Sequence, residues 1–304
     1  CPAQFCVPTP RGLAMATGQR ASDDLIGQAE ALAEAMKRLL QELATLPREK
    51  RARALSIAWP MARGHWMWGV PVLAALGADG DGPHKFAVYE GLKVWKKMGE
   101  WAEHAPPPPP GNNSVDPKDA RERLKKLLGE GAEERPQQAD YASAVCSAFA
   151  PRTAEGTPNI VLAEAGTGTG KTLGYVAPAS IWAQKNDGAV WISTYTRNLQ
   201  RQIDQELNRL YDDPKDKRLK AVVRKGRENY LCLLNFEEAQ RPLAQQPHQA
   251  IPLGLMARWA SQTRDGDMVG GDFPAWLTEL IGGRFTSALA DQRGECIYAA
   301  CPHY

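Results

Sequence analysis

No apolar run in this chain approaches the roughly 18 residues that a membrane-crossing helix needs, and no signal peptide is evident. The expectation is a cytoplasmic protein without a membrane partner. A dominant charge is also lacking. Lys and Arg number 37 against 35 Asp and Glu, a net charge of +2, so any attraction to nucleic acid must come from local patches. Cysteine is scarce, at six residues (1, 6, 146, 232, 296 and 301). In a reducing compartment these read as free thiols or metal ligands, not as a disulfide frame. Cys1 and Cys6 offer a metal pair with no second pair nearby. The chain opens on Cys1 rather than Met and stops at Tyr304 in mid-pattern, which predicts a piece of something longer.

What is present is organised around Ala163–Thr172, A-E-A-G-T-G-T-G-K-T. The β-prone run Asn159-Ile160-Val161-Leu162 leads into it, and a helix-like run with Leu173, Val176, Ile181 and Trp182 follows. Strand, glycine-rich turn and G-K-T opening a helix is the pattern of a phosphate-binding loop. Its glycines let backbone N–H groups converge on an anion, and the new helix turns its positive end to the same point. The candidate nucleotide-binding residues are Ala165, Gly166, Thr167, Gly168, Thr169, Gly170, Lys171 and Thr172. Lys171 and Thr172 are the catalytic candidates, the first for the β- and γ-phosphates of ATP and the second for Mg²⁺. Ala165 replaces the first motif glycine with a residue small enough for the turn.

The length predicts two or three domains. In residues 22–105, Ser22 is a candidate N-cap, with Asp23 and Asp24 in the first turn. Leu25, Ala29, Leu32, Met36, Leu39, Leu43 and Leu46 then recur at helical spacing. Further helices are expected over 48–57, 71–76 and 85–101. The tryptophans 59, 66 and 68 read as helical core, with base stacking as the alternative. Five prolines at 106–110 mark an extended linker over 106–115. A small all-α accessory domain thus occupies 1–105, and residues 22–105 are the candidate surface for a protein partner.

Beyond the linker, Asp116 and Pro117 predict the cap and first residue of a helix reaching Leu128, and another is expected over 139–149. Gln138, some thirty residues before the loop, carries the donor and acceptor an adenine edge requires. The runs 189–194 and 219–223 read as strands, and 196–211 as a helix. Strands alternating with helices predict an α/β fold with a parallel, doubly wound sheet. Thr194, Thr196 and Arg197 then fall at a strand end, where they suit a phosphodiester backbone. The basic run from Lys215 to Arg227 adds Arg224, Lys225 and Arg227, with Tyr230 behind them, as DNA-binding candidates.

Taken together, E-R-P-Q-Q-A-D-Y-A, A-E-A-G-T-G-T-G-K-T, I-S-T-Y-T-R-N-L-Q-R-Q-I and R-K-G-R-E-N-Y-L-C resemble successive motifs of the DinG/XPD group, superfamily 2 helicases carrying an iron–sulfur cluster. The resemblance covers about residues 134–304. It implies a P-loop NTPase (RecA-like) motor domain, begun within 116–231, with a helical cluster domain over 232–304. It also implies ATP-driven 5′→3′ movement on single-stranded DNA, in repair or replication. Cys232 stands 64 positions before Cys296, and Cys296 five before Cys301. That is the family's layout for three thiolate ligands of a [4Fe–4S] cluster, and the resemblance places a fourth beyond Tyr304. Zinc on these three with His303 is the rival reading, and unligated core cysteines the plain one. The D-E-x-H motif and the second motor domain do not occur in the sequence, so the chain alone is expected to bind nucleotide without turnover. A CRISPR-associated relative and a non-catalytic nucleic-acid-binding protein are the alternatives.

Overall fold

The computed structural model describes residues 9–20, 23–80, 82–83, 87–98, 107–133, 135–154, 156–166, 168–291 and 296–303. Ser22, Cys1, Cys6 and both ends of the helix expected over 85–101 lie outside them. The chain divides into two compact units, one joining residues 1–101 to 225–304 and the other covering 102–224.

In the first unit, α1 (Pro10–Ala16) is capped by Thr9, and α2 (Leu25–Ala44) by Asp24, whose carboxylate accepts the Gly27 N–H at 2.8 Å. The apolar residues at the start of α2, Leu25 and Ile26, face solvent, while Leu43 and Leu46 pack beside α3 (Arg48–Arg63) and α4 (Gly69–Ala75). Two 3₁₀ turns, Val88–Leu92 and Val94–Lys97, stand within the stretch expected to be helical. The C-terminal part contributes α10 (Leu233–Glu238), α11 (Ala250–Ala260), α12 (Ala275–Ile281) and α13 (Gly283–Ala288). A single core joins the two sequence-distant parts. Ile57 and Met61 of α3 and Leu92 lie against Phe236, Leu253, Met256 and Trp259. The approach is close enough that a Cβ on Gly254 would sit 2.4 Å from Met61 Cγ.

In the second unit, α5 (Pro117–Leu128) begins where the Asp116 carboxylate accepts the Lys118 N–H at 2.7 Å. Residues α6 (Pro136–Val145) and α7 (Lys171–Asn186) complete a three-helix core of Leu124, Leu127, Ala142, Leu173, Val176 and Ala177. The proline-rich segment is stitched to the end of α7, with the Gly111 N–H on the Asn186 carbonyl and the Asn113 N–H on its Oδ1. The unit closes with α8 (Arg197–Leu207) and α9 (Pro214–Lys220).

The expected parallel α/β sheet is not found. Among the described residues there is no strand, only two isolated antiparallel bridges, Tyr230 with Asp267 and Leu231 with Ala290. Of the three runs read as strands, 159–162 and 189–194 have no regular structure, and Leu219 and Lys220 close α9 instead. β-Prone side chains favour a pleated, half-buried surface, but a strand also needs a neighbour to complete its ladder. Here Ile160 is 77% exposed, Leu162 95% and Trp191 78%, so these runs lack both burial and pairing.

Candidate nucleotide and nucleic-acid sites

The glycine loop runs directly into α7. Gly170, the N-cap, is left-handed at φ +74°, and Gly168 lies at φ +80°. Left-handed backbone at alternate positions is what glycine permits and what turns successive amides toward one side. Lys171 folds over the loop, its Nζ donating to the carbonyls of Ala165 at 2.5 Å and Gly166 at 3.0 Å. Thr169 Oγ1 also donates to the Gly166 carbonyl, at 2.9 Å. Thr172 shares a hydrogen bond with Tyr175, whose phenol is pushed up by burial with that bond working against it. Thr167 lies outside the described residues.

Two donors reach the loop from the opening of α6. Gln138 Nε2 donates to the Gly170 carbonyl at 2.7 Å, and Arg135 Nη1 to the Gly168 carbonyl at 2.6 Å. Gln138 is buried, at 3% exposure, and a Cβ on Gly170 would meet its Nε2 at 2.2 Å. Arg135 is held in turn by Glu133, through Nε at 3.0 Å and Nη2 at 2.8 Å. Sequence reasoning passed over Arg135, although it lies inside the E-R-P-Q-Q motif.

The nucleic-acid candidates divide between the two units. In the second, Thr196 caps α8, its hydroxyl accepting the Leu199 N–H at 3.2 Å, and Arg197 opens that helix in solvent. Thr194 Oγ1 is buried with no hydrogen-bond partner among the described residues. The Arg224 guanidinium stands 5.7 Å from the centre of the exposed Trp191 ring, a contact no motif signalled.

In the first unit, Lys225 pairs with the buried Asp267 carboxylate and donates to the Val269 carbonyl at 2.8 Å. Tyr230 accepts the Lys225 N–H through its hydroxyl. Arg227 covers the Tyr298 ring at 4.6 Å, donates to that hydroxyl at 2.8 Å and pairs with Asp291 at 3.3 Å. The Tyr298 hydrogen bond leads the interactions that hold this exposed guanidinium above its ordinary value.

The three cysteines are not assembled. Among the described residues no three His, Cys, Asp or Glu form a group able to hold a metal. Cys232 caps α10 and donates its N–H to the Leu289 carbonyl, while Cys301 Sγ accepts the His303 N–H at 3.4 Å. His303 Nε2 lies 2.8 Å from Glu237 Oε2, so a carboxylate holds that side of the ring. Thiolates suit an iron–sulfur cluster chemically; among the described residues the three thiols are not gathered into such a group.

No family model and no solved structure matches the chain. Curated proteins do. The ATP-dependent helicase DinG of Mycobacterium tuberculosis H37Rv is 34% identical over 191 residues, covering 57% of this chain and 27% of the relative. The ATP-dependent DNA helicase YoaA of Escherichia coli K12 is 34% identical over 185 residues, with 57% and 25% covered. The protein named 3'-5' exonuclease DinG in Bacillus subtilis 168 is 31% identical over 154 residues, with 51% and 16% covered. About half of this chain is thus similar in sequence to proteins named DinG and YoaA. The chain spans about a quarter of the length of the mycobacterial and Escherichia coli relatives. No helix among its described residues is long and apolar enough to cross a membrane.

Proposed function

We propose that this chain contributes the nucleotide-binding part of an ATP-dependent DNA helicase of the DinG type, a cytoplasmic motor on single-stranded DNA. The observation that carries the reading is the glycine loop. It has two left-handed glycines, a lysine whose ammonium hangs over the loop, and a hydroxyl at the second position of a 16-residue helix. Loops of this construction hold polyphosphate with backbone amides and a lysine, and hold Mg²⁺ with the hydroxyl. When ATP binds, Lys171 exchanges the Ala165 and Gly166 carbonyls for β- and γ-phosphate oxygens.

In this reading Trp191 and Arg224 offer single-stranded DNA a stacking ring and a phosphate contact, with Thr196 and Arg197, at the exposed start of α8, following the backbone. Residues 22–105 keep a docking role through the exposed apolar start of α2. An iron–sulfur cluster on Cys232, Cys296 and Cys301 belongs to the reading through thiol chemistry and spacing alone. Iron analysis and a visible spectrum of anaerobically purified protein test that part.

For the reading as a whole, the test is titration with a fluorescent ATP analogue and Mg²⁺. Saturable binding weakened at least about ten-fold by Lys171→Ala supports it. Binding that ignores the substitution overturns it.

A further inference from the structure

The opening of α6 reaches the phosphate loop at two points, and both contacts fall on carbonyls of left-handed glycines. When a loop curls its N–H groups toward an anion, the carbonyls of the same peptides are driven to the outer side. Each is then a polar group that needs a donor there. Arg135 supplies that donor to Gly168 and Gln138 supplies it to Gly170.

We propose that Arg135 and Gln138 are positioning residues that set the shape of the loop around the polyphosphate, and that Gln138 does not read the adenine base. The inference rests on the nucleotide reading of the loop and deepens it. A base-reading amide must present its donor and acceptor to the ligand. Gln138 is almost wholly buried, and its nitrogen is committed to the backbone beside Lys171. Gly170 packs against it so closely that no side chain larger than hydrogen fits between them. Arg135 complements it from the exposed side, its guanidinium held by Glu133 and its free edge directed to Gly168. Residues acting through the loop affect every ligand that carries the same phosphates, whatever its base.

The test is competition of ATP, GTP and inorganic tripolyphosphate, each with Mg²⁺, against a fluorescent ATP analogue on the whole chain. Gln138→Ala and Arg135→Ala are expected to weaken all three ligands by the same factor, about three- to ten-fold, the worth of one hydrogen bond. Arg135→Lys, which keeps a charged donor, is expected to recover most of the loss. A drop confined to ATP in Gln138→Ala makes that residue a base reader and overturns the inference, as does unchanged affinity in both alanine variants. Arg135 is exposed, so Arg135→Ala carries the test should Gln138→Ala fail to fold. Binding equal in wild type and Lys171→Ala is a different failure: it removes the nucleotide reading itself, and this inference with it.

Discussion

A cation in a basic run can serve either the fold or a ligand, and its partners decide which. Lys225 is 16% exposed and its partner Asp267 7%, with the Asp267 carboxylate also accepting the Val269 N–H at 2.7 Å. Removing one member of a largely buried pair leaves the other charged and unsatisfied. Lys225→Met is therefore expected to cost about 2 kcal/mol, whereas Arg224→Met, whose contact is the open face of Trp191, leaves stability nearly unchanged. Urea unfolding of the two variants separates them. Thiol chemistry follows the same logic. Cys146 is buried, its Sγ donates to the Ala142 carbonyl at 3.3 Å, and burial with nearby Asp116 pushes its thiol up. Because the thiolate is the attacking form, iodoacetamide at pH 8 should label the half-buried Cys232, Cys296 and Cys301 of metal-free protein before Cys146. Mass spectrometry of a labelling time course reads the order.

At the scale of elements, caps and short ion pairs give the clearest expectations. Asp116→Ala removes the acceptor at the start of α5 and should cost about 1 kcal/mol in thermal or urea unfolding. Glu90 accepts from Lys93 at 2.5 Å and Lys96 at 2.8 Å, and the Lys93 bond leads the interactions that depress its carboxyl. A depressed carboxyl contributes stability that is present above its ordinary value, about 4.5, and lost as pH falls through the folded value. The group is exposed, so Glu90→Gln should cost only a few tenths of a kcal/mol at pH 7 in urea unfolding, and less as acid protonates the carboxyl.

These elements also show what the sequence could disclose. The Asp116-Pro117 start and the helix expected from residue 196 were legible because each is encoded within one turn of its own residues. The strands were not, because a strand depends on a neighbour that may be far along the chain, and 159–162 and 189–194 have none among the described residues. The glycine loop was legible for the same local reason as the caps. Its Arg135 brace was not, since the contact spans 33 positions and the motif names the residue without its target.

For the whole molecule, the decisive observation is that residues 1–101 and 225–304 form one unit with 102–224 set between them in sequence. The proline run is a clear boundary in composition, yet nothing in composition shows which flanking segments will share a core. Leu92→Ala and Leu253→Ala, from the two ends of the sequence, should each remove about 2–5 kcal/mol from the same unfolding transition. Far- and near-ultraviolet melting curves of both variants check it, and separate transitions would contradict a common core.

The split core also sets an order of events on the ribosome. The faces of α3 that bear Ile57 and Met61 leave the exit tunnel before Phe236, Leu253 and Met256 have been translated. At 5–20 residues per second, on the order of ten seconds pass with that surface waiting for its other half. The intervening helices can collapse on their own during this delay, while the first-made segment stays open to chaperones and to neighbouring nascent chains.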